Sequence, residues 1–386
     1  VSLAAIHWLV SQIQGTPFDS NWQNWFLTGF GIHRNSPAKT WRLESSDRQL
    51  KYSFVNSKII QNQTMKPKVL ITNYVPDEHI EPILGLAEII KGPSGGPMCT
   101  REAVMALAPE LVGIINQHEL TVDRELLAAA PNLRIVANVA IGYNNMDLAA
   151  LDAAGIWGSN CPGAFSESTA DHTMALLLAL ARHVPEADAY VRAGQWEKDG
   201  FQPGPWDGML LSGKVMGIVG FGQIGRAVAK RAEAFGMQVI FHSNRGQDDS
   251  RYRTLEALLA DSDVVSLHVP LVPTTRHLLN AQSIALMKHG AILLNMARGP
   301  VVDENALAAA LNSGHLFGAG MDVAEHEPRI LPALREQRSV VFTPHIGGGT
   351  FESRRLARLV CARNVAEVLQ GRPPINPVNQ PPNIQL

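Results

Sequence analysis

Residues 215–235 read VMGIVGFGQIGRAVAKRAEAF. An apolar run enters a Gly-x-Gly-x-x-Gly turn, and an amphipathic helical pattern over 226–235 leaves it. A glycine triplet alone is weak evidence, since glycine marks many turns. A strand before it and a helix after it supply the context that gives it meaning. Gly220 permits the tight turn, Gly222 lets a pyrophosphate approach the backbone, and Gly225 lets helix and strand pack closely. With Gln223 and Ile224, these positions form the expected cradle for a dinucleotide, at the positive end of a helix. The unit commits this part of the chain to a parallel α/β sheet.

The next strand candidate, MQVIFHS (237–243), ends where an NAD site ordinarily has Asp or Glu on the ribose hydroxyls. Ser243, Asn244 and Arg245 stand there instead. A carboxylate repels a 2′-phosphate, whereas a hydroxyl, an amide and a guanidinium bind one. The stretch predicts NADP(H) as the preferred cofactor, with NAD(H) possible.

Four more strand candidates follow: DVVSLHV, AILLNMA, LFGAGMDV and SVVFTPH. Polar and turn residues gather at their carboxyl ends: His268-Val269-Pro270, Asn295 to Gly299, Asp322 with Glu327 and Pro328 just beyond, and Thr343-Pro344-His345. In open parallel sheets ligands bind at that edge. Arg298 is suited to grip a substrate carboxylate with two prongs and to polarise an adjacent carbonyl. His345 is suited to exchange the proton that accompanies hydride transfer. Glu327, hydrogen-bonded to it, would favour the imidazolium and fix the ring. Each has a structural alternative: a surface ion pair, an acid before a proline, a turn histidine. Their arrival together at one edge favours catalysis. Elsewhere, His172 reads as a packed core or interface histidine, His242 as a neighbour of the adenine ribose, and His315 and His326 as loop residues. Neither HExxH nor CxxC occurs, so no metal is expected.

Upstream, strand candidates at 68–75, 111–117 and 133–140 alternate with helical stretches, one of them beginning near Asp77. Pro162 and Gly163 then break the pattern before a long apolar helix, SESTADHTMALLLALARHV. A last helix, FESRRLARLVCARNVAEVLQ, stops before Gly371 with Pro373 and Pro374 beyond. The tail is too proline-rich for regular structure. Residues 1–64 hold four of the seven tryptophans (Trp8, Trp22, Trp25, Trp41) without a sustained period. They read as a poorly ordered extension or as sequence upstream of a natural start at Met65, with a transit peptide as the second reading. The 386 residues suffice for two domains. A net charge of -2 gives no broad attraction to nucleic acid or anionic membrane, and no apolar run approaches a membrane span. Three cysteines without metal spacing (Cys99, Cys161, Cys361) fit a reducing cytoplasm.

Six segments in order, VAIGYNNMD, GIVGFGQIG, HVPLVPTTRHLLN, NMARGPVVDENAL, GAGMDVAEHEP and TPHIGG, resemble the D-2-hydroxyacid dehydrogenase family. The resemblance runs from Met65 to about Asn379. It implies two Rossmann-like α/β domains with parallel sheets: a flavodoxin-like substrate domain split over 65–163 and 348–386, and an inserted dinucleotide-binding domain over 164–347. It matches Arg298 to the substrate-binding arginine, Glu327 to its acid partner and His345 to the proton donor. Ala140-Ile141-Gly142 matches the turn holding the substrate carboxylate, Asp322 a residue near the nicotinamide carboxamide, and Thr169 a cofactor contact. Further cofactor contacts fall on Val269, Pro270, Thr275, Met296, Ala297 and Gly347, and on Arg298 and His345 themselves. Glu327 separates the chain from the formate dehydrogenase branch, which has Gln there. Ser243 to Arg245 and AGQWEKDGF look most like the glyoxylate/hydroxypyruvate and 2-ketogluconate reductases, which use NADPH. The implied activity is reduction of small 2-oxoacids, in a homodimer joined through the cofactor domain, with the apolar helix at 168–182 as a candidate surface. Two alternatives stand beside it. An NAD-dependent 3-phosphoglycerate dehydrogenase-like enzyme should carry an acid at 243, and a nucleotide-sensing corepressor relative should carry long flanking interaction tails. Asn144 departs from the family, which often has Asp there.

Overall fold

The computed structural model describes residues 66–382, apart from 96, 97, 118 and 203. The sequence reading of 1–64 therefore lies outside the described residues. Strands β1 (Lys68–Ile71), β2 (Glu88–Lys91), β3 (Leu111–Asn116), β4 (Ile135–Asn138) and β5 (Trp157–Ser159) form one parallel sheet in the order β2-β1-β3-β4-β5. That is a flavodoxin-like order. The sequence pattern predicts only β1, β3 and β4 of these. β2 is a short outer strand, and β5 is the three residues WGS, which carry no run of strand formers. The helical stretch expected near Asp77 is only a 3-10 turn, Asp77–His79, and a four-residue helix, Glu81–Leu84.

A second parallel sheet contains β6 (Val215–Val219), β7 (Gln238–His242), β8 (Val264–Leu267), β9 (Ala291–Asn295), β10 (Leu316–Met321) and β11 (Val340–Phe342). Its order is β11-β10-β9-β8-β6-β7. All six strands expected for this region are present. Tyr252 adds one parallel bridge to Phe241, outside β7. The outer strand of a dinucleotide-binding sheet is thus reduced here to a single residue pair.

Both sheets are covered on both faces, which is why their strands read as apolar runs rather than alternating patterns. Successive residues still divide between faces. Ile114 and Val136 pack on one side of the first sheet, Ile115 and Ala137 on the other. Val265 and Leu293 face one side of the second sheet, Val264, Ile292 and Leu294 the other. The chain leaves the first sheet after β5 and enters helix Ser166–Ala181, which packs on the second sheet. It returns with helix Phe351–Leu369, which covers β3 and β4. The second sheet is therefore inserted into the first unit.

Helix Ser166–Ala181 corrects one expectation. Its apolar side chains are not a free dimer surface: Ala170, Met174, Leu176, Leu177 and Leu180 are buried within this chain, against helix Gln223–Ala234 and β10. A helix apolar on most sides belongs inside. The proline-rich tail forms no regular element among the described residues, yet it is fixed. Asn379 accepts from Gly158 N–H at 2.7 Å and donates to Asp152 and Ile156, closing the edge at β5. Among the described residues, no helix is long and apolar enough to cross a membrane.

Candidate active site

The carboxyl ends of the two sheets meet. Asn144, in the loop after β4, donates to Leu271 O after β8 at 2.9 Å. Ser353 donates to Ser168 at 3.0 Å, tying the two crossings together. A β-carbon on Gly142 would collide with Nη2 of Arg298, so glycine there admits the guanidinium of the other sheet.

The loop after β4 is held from below by asparagines. Asn116 donates to Asn138 Oδ1 at 3.0 Å, Asn138 to Asn145 at 2.7 Å and to Gly142 O at 3.3 Å, and Asn145 to Leu120 O at 2.9 Å. Asn160 donates to Ile141 O, and Cys161 N–H to Ala140 O. The carbonyls of Ala140, Ile141 and Gly142 are thus occupied, while among the described residues no acceptor takes the N–H groups of Ile141 and Gly142. Two backbone donors beside a guanidinium form a concavity suited to a carboxylate.

Arg298 leaves β9 on a turn that Asn295 fastens through bonds with Ala297 N–H and Arg298 O. Gly299 packs so closely on Ala324 that no β-carbon fits. Nη1 donates to Ala297 O at 2.7 Å, and Nε is buried with no partner among the described residues. Burial pushes the guanidinium pKa down, and Glu327 opposes that. A buried, unpaired charged donor is costly unless a ligand supplies the acceptor.

His345 Nδ1 lies 2.9 Å from Glu327 Oε2, and Ala324 N–H donates to Glu327 Oε1 at 3.2 Å. Burial works against the Glu327 carboxylate, but the hydrogen bond and charge of His345 hold its pKa below the ordinary value. His345 has φ 54°, in the left-handed region that a residue with a β-carbon enters at a cost of about 1–3 kcal/mol. Asp322 holds it there. Its carbonyl accepts from His345 N–H at 2.9 Å, and its carboxylate accepts from Ile346 N–H, Gly347 N–H and the Thr343 hydroxyl at 2.6–2.8 Å. Burial acts to raise the Asp322 pKa, yet these donors and His172 lower it. Asp322 thus shapes the His345 turn from beneath. His172, read from sequence as a packed or interface histidine, bonds Thr343 Oγ1 at 2.9 Å and approaches Asp322 at 3.5 Å. Its position three residues after Thr169 on one helix was the available signal.

The expected cofactor positions line the same edge. Gly220 has φ 97°, and a β-carbon there would lie 2.5 Å from His268 O and 3.0 Å from Val269. Gly225 packs against Gly220 O, leaving no space. Gly222 differs: a β-carbon would meet nothing within 4 Å, so packing does not require glycine. Open space at the start of the twelve-residue helix Gln223–Ala234 fits a pyrophosphate. Gln223 reaches Ser166 at 3.4 Å, and Ile224 packs into the core beside Phe221. Phe221 stacks on Phe241 at 3.9 Å beneath the turn. A β-carbon on Gly347 would fall 2.9 Å from Asp322, 3.1 Å from Met296 and 3.6 Å from Thr169, which brings those four together; Ala297 is buried beside them. The Thr275 hydroxyl donates to Pro270 O at 2.6 Å and closes that loop.

Past β7, Ser243 Oγ accepts from Arg245 N–H at 3.2 Å. Among the described residues no carboxylate pairs with Arg245, whereas nearby Arg251 is held by Asp249 and Glu233. The Arg251 hydrogen bonds pull the Asp249 pKa down to about 2. His242 bonds Arg253 O at 3.1 Å. Among the described residues, no group of three or more His, Cys, Asp or Glu side chains is placed to hold a metal ion.

Residues 174–347 match the family model for the NAD-binding domain of D-isomer specific 2-hydroxyacid dehydrogenases. Over 326 residues the chain is 42% identical to a glyoxylate reductase of Thermococcus litoralis, covering 82% of this chain and 98% of that protein. A Thermus thermophilus protein, TT0316, is similar in structure, with a TM-score of 0.76 and 40% identity over 81% of this chain and 99% of that one. An NADPH-dependent glyoxylate/hydroxypyruvate reductase of Sinorhizobium meliloti, solved with NADP and malonate, gives a TM-score of 0.71 and 28% identity over 83% and 99%. The chain belongs to the D-isomer-specific 2-hydroxyacid dehydrogenase family and is an NAD(P)-dependent oxidoreductase.

Proposed function

We propose that this enzyme reduces small 2-oxoacids, of the glyoxylate, hydroxypyruvate and 2-ketogluconate class, to D-2-hydroxyacids, with NADPH preferred over NADH. The observation that carries the reading is the buried, unpartnered Nε of Arg298 beside the unclaimed N–H groups of Ile141 and Gly142, with the Glu327–His345 pair at the same edge. The guanidinium and the two amides receive the substrate carboxylate, and Arg298 polarises the adjacent carbonyl. A bound nicotinamide supplies hydride to the carbonyl carbon. His345 delivers the proton to the carbonyl oxygen, and Glu327, bonded to Nδ1, keeps the ring oriented. The balance is one hydride and one proton added across the C=O bond, leaving a secondary or primary alcohol and oxidised cofactor.

Ser243, Asn244 and Arg245 are assigned to the 2′-phosphate, because no carboxylate stands there to repel it and Arg245 has no ion-pair partner among the described residues. The serine at 243 also weighs against the NAD-dependent alternative. The domain boundaries are placed between residues 163 and 164 and between 347 and 348, and Gln223, Thr169 and Asp322 are assigned to cofactor contacts. We assign homodimerisation to segment 184–210, where Val184, Val191, Trp196, Phe201 and Leu210 are exposed apolar side chains. Light scattering should return twice the chain mass. The free thiols of Cys99, Cys161 and Cys361 suit a cytoplasmic setting.

The test is NADPH consumption with glyoxylate, hydroxypyruvate and 2-ketogluconate, repeated with NADH. Turnover of at least one acid, with higher kcat/KM for NADPH, is expected. Flat traces with all three acids reject the activity, and a preference for NADH rejects the cofactor assignment alone.

A further inference from the structure

A planar 2-oxoacid carbon carries three substituents. Arg298 and the 140–142 loop take the carboxylate and His345 faces the oxygen, which leaves the group at C3. Besides Arg298 Nε, the buried polar atoms at the strand ends without a partner among the described residues are Ser159 Oγ, His268 Nδ1 and Nε2 of Gln117, and the last lies beside the 140–142 loop.

Its place follows from register. Ile71 pairs with Ile115, and Asn116 with Asn138, so Gln117, one residue past β3, falls opposite Asn73 on one side and Val139 on the other, beside the loop that begins at Ala140. Its backbone N–H is fixed by Thr72 Oγ1 at 3.0 Å. Side chains alternate along a strand, so Gln117 continues the face of Ile115. That face packs with Val75, Val139, Ala357 and Cys361, under the helix that begins directly after the His345 loop. A position there with only a packing role is better filled by an apolar side chain, since a buried amide without a partner is destabilising.

We infer that Gln117 determines specificity by hydrogen-bonding a hydroxyl on C3, so that the site prefers 3-hydroxy-2-oxoacids to those with an unsubstituted C3. The inference rests on the 2-oxoacid reading of the site. A hydroxyl both donates and accepts, so it satisfies whichever end of the amide faces it, whereas a methyl satisfies neither. A site built around such a bond discriminates against an analogue lacking the hydroxyl, because the buried amide is then left unpaired.

The experiment compares kcat/KM for hydroxypyruvate, pyruvate and glyoxylate, with NADPH, in the wild type, Gln117→Leu and Gln117→Met. The unbranched methionine keeps the comparison available if leucine disturbs folding, and thermal unfolding reports on both. The hydroxypyruvate-to-pyruvate ratio should fall by about 10-fold or more, with glyoxylate kcat/KM and the KM for NADPH changing less than about 2-fold. A ratio unchanged in a folded, active variant overturns the inference, as does a parallel loss with all three acids. A wild type that reduces none of them instead overturns the underlying reading of the site.

Discussion

His345→Ala lowers kcat for 2-oxoacid reduction by roughly 100- to 10,000-fold, the range associated with a positioned proton donor, and leaves NADPH affinity within about 3-fold. The split follows from the geometry. The imidazole is held by Glu327 at 2.9 Å and sits on a turn whose backbone is fastened to Asp322. The glycine turn and the segment after β7 belong to different loops. Removing the ring deletes the proton source but not the cofactor's cradle. Because alanine is poorly suited to φ 54°, His345→Asn is the useful companion: asparagine tolerates that backbone and cannot donate a proton at neutral pH. Both should show the loss in kcat. Fluorescence titration with NADPH and steady-state rates check this. Near-wild-type turnover in the asparagine variant removes His345 from the proposed role.

Arg298→Lys should reduce kcat/KM for 2-oxoacids by about 100-fold or more, although the charge is kept. Lysine brings a point charge on a flexible stem and cannot place two parallel donors. The guanidinium is also packed: it fills the space that Gly142 leaves open, and Nη1 is bonded to Ala297 O. An ammonium leaves part of that volume empty and still must be buried. Gly142→Ala approaches the same defect from the other side, by driving a methyl into Nη2. Loss confined to KM for NADPH, with the oxoacid parameters intact, contradicts the assignment of Arg298 to the substrate.

Some of this organisation was legible in sequence for a physical reason. The glycine turn, the six strands of the second sheet and the polar ends of those strands are local: each is written in a few consecutive residues, and the parallel sheet brings the ends to one edge. Arg298, Glu327 and His345 can therefore be placed at one edge without knowing their separation. What was missed depends on contacts between distant segments. β5 is three residues whose strand conformation comes from pairing with β4 and from Asn379 in the tail. The Asn116–Asn138–Asn145 network joins two strand ends and a loop. Asn144, seen in sequence only as a departure from the family, is a donor spanning the two sheets to Leu271 O, a bond that a carboxylate cannot make. Helix 166–181 was correctly read as apolar, but periodicity does not reveal what covers a helix, and here this chain does so itself.

The most direct test of the central claim, that a carboxylate-held imidazole gives the proton to a carbonyl fixed by Arg298, is the pH profile of kcat/KM for glyoxylate with NADPH in the wild type and Glu327→Gln. Reduction consumes the protonated ring, so the rate should be level at acid pH and fall as pH rises. Glutamine removes the carboxylate that holds the ring through Nδ1, so kcat/KM should be lower than in the wild type across the profile. Superimposable profiles, or a rate that rises with pH in both proteins, contradict the account.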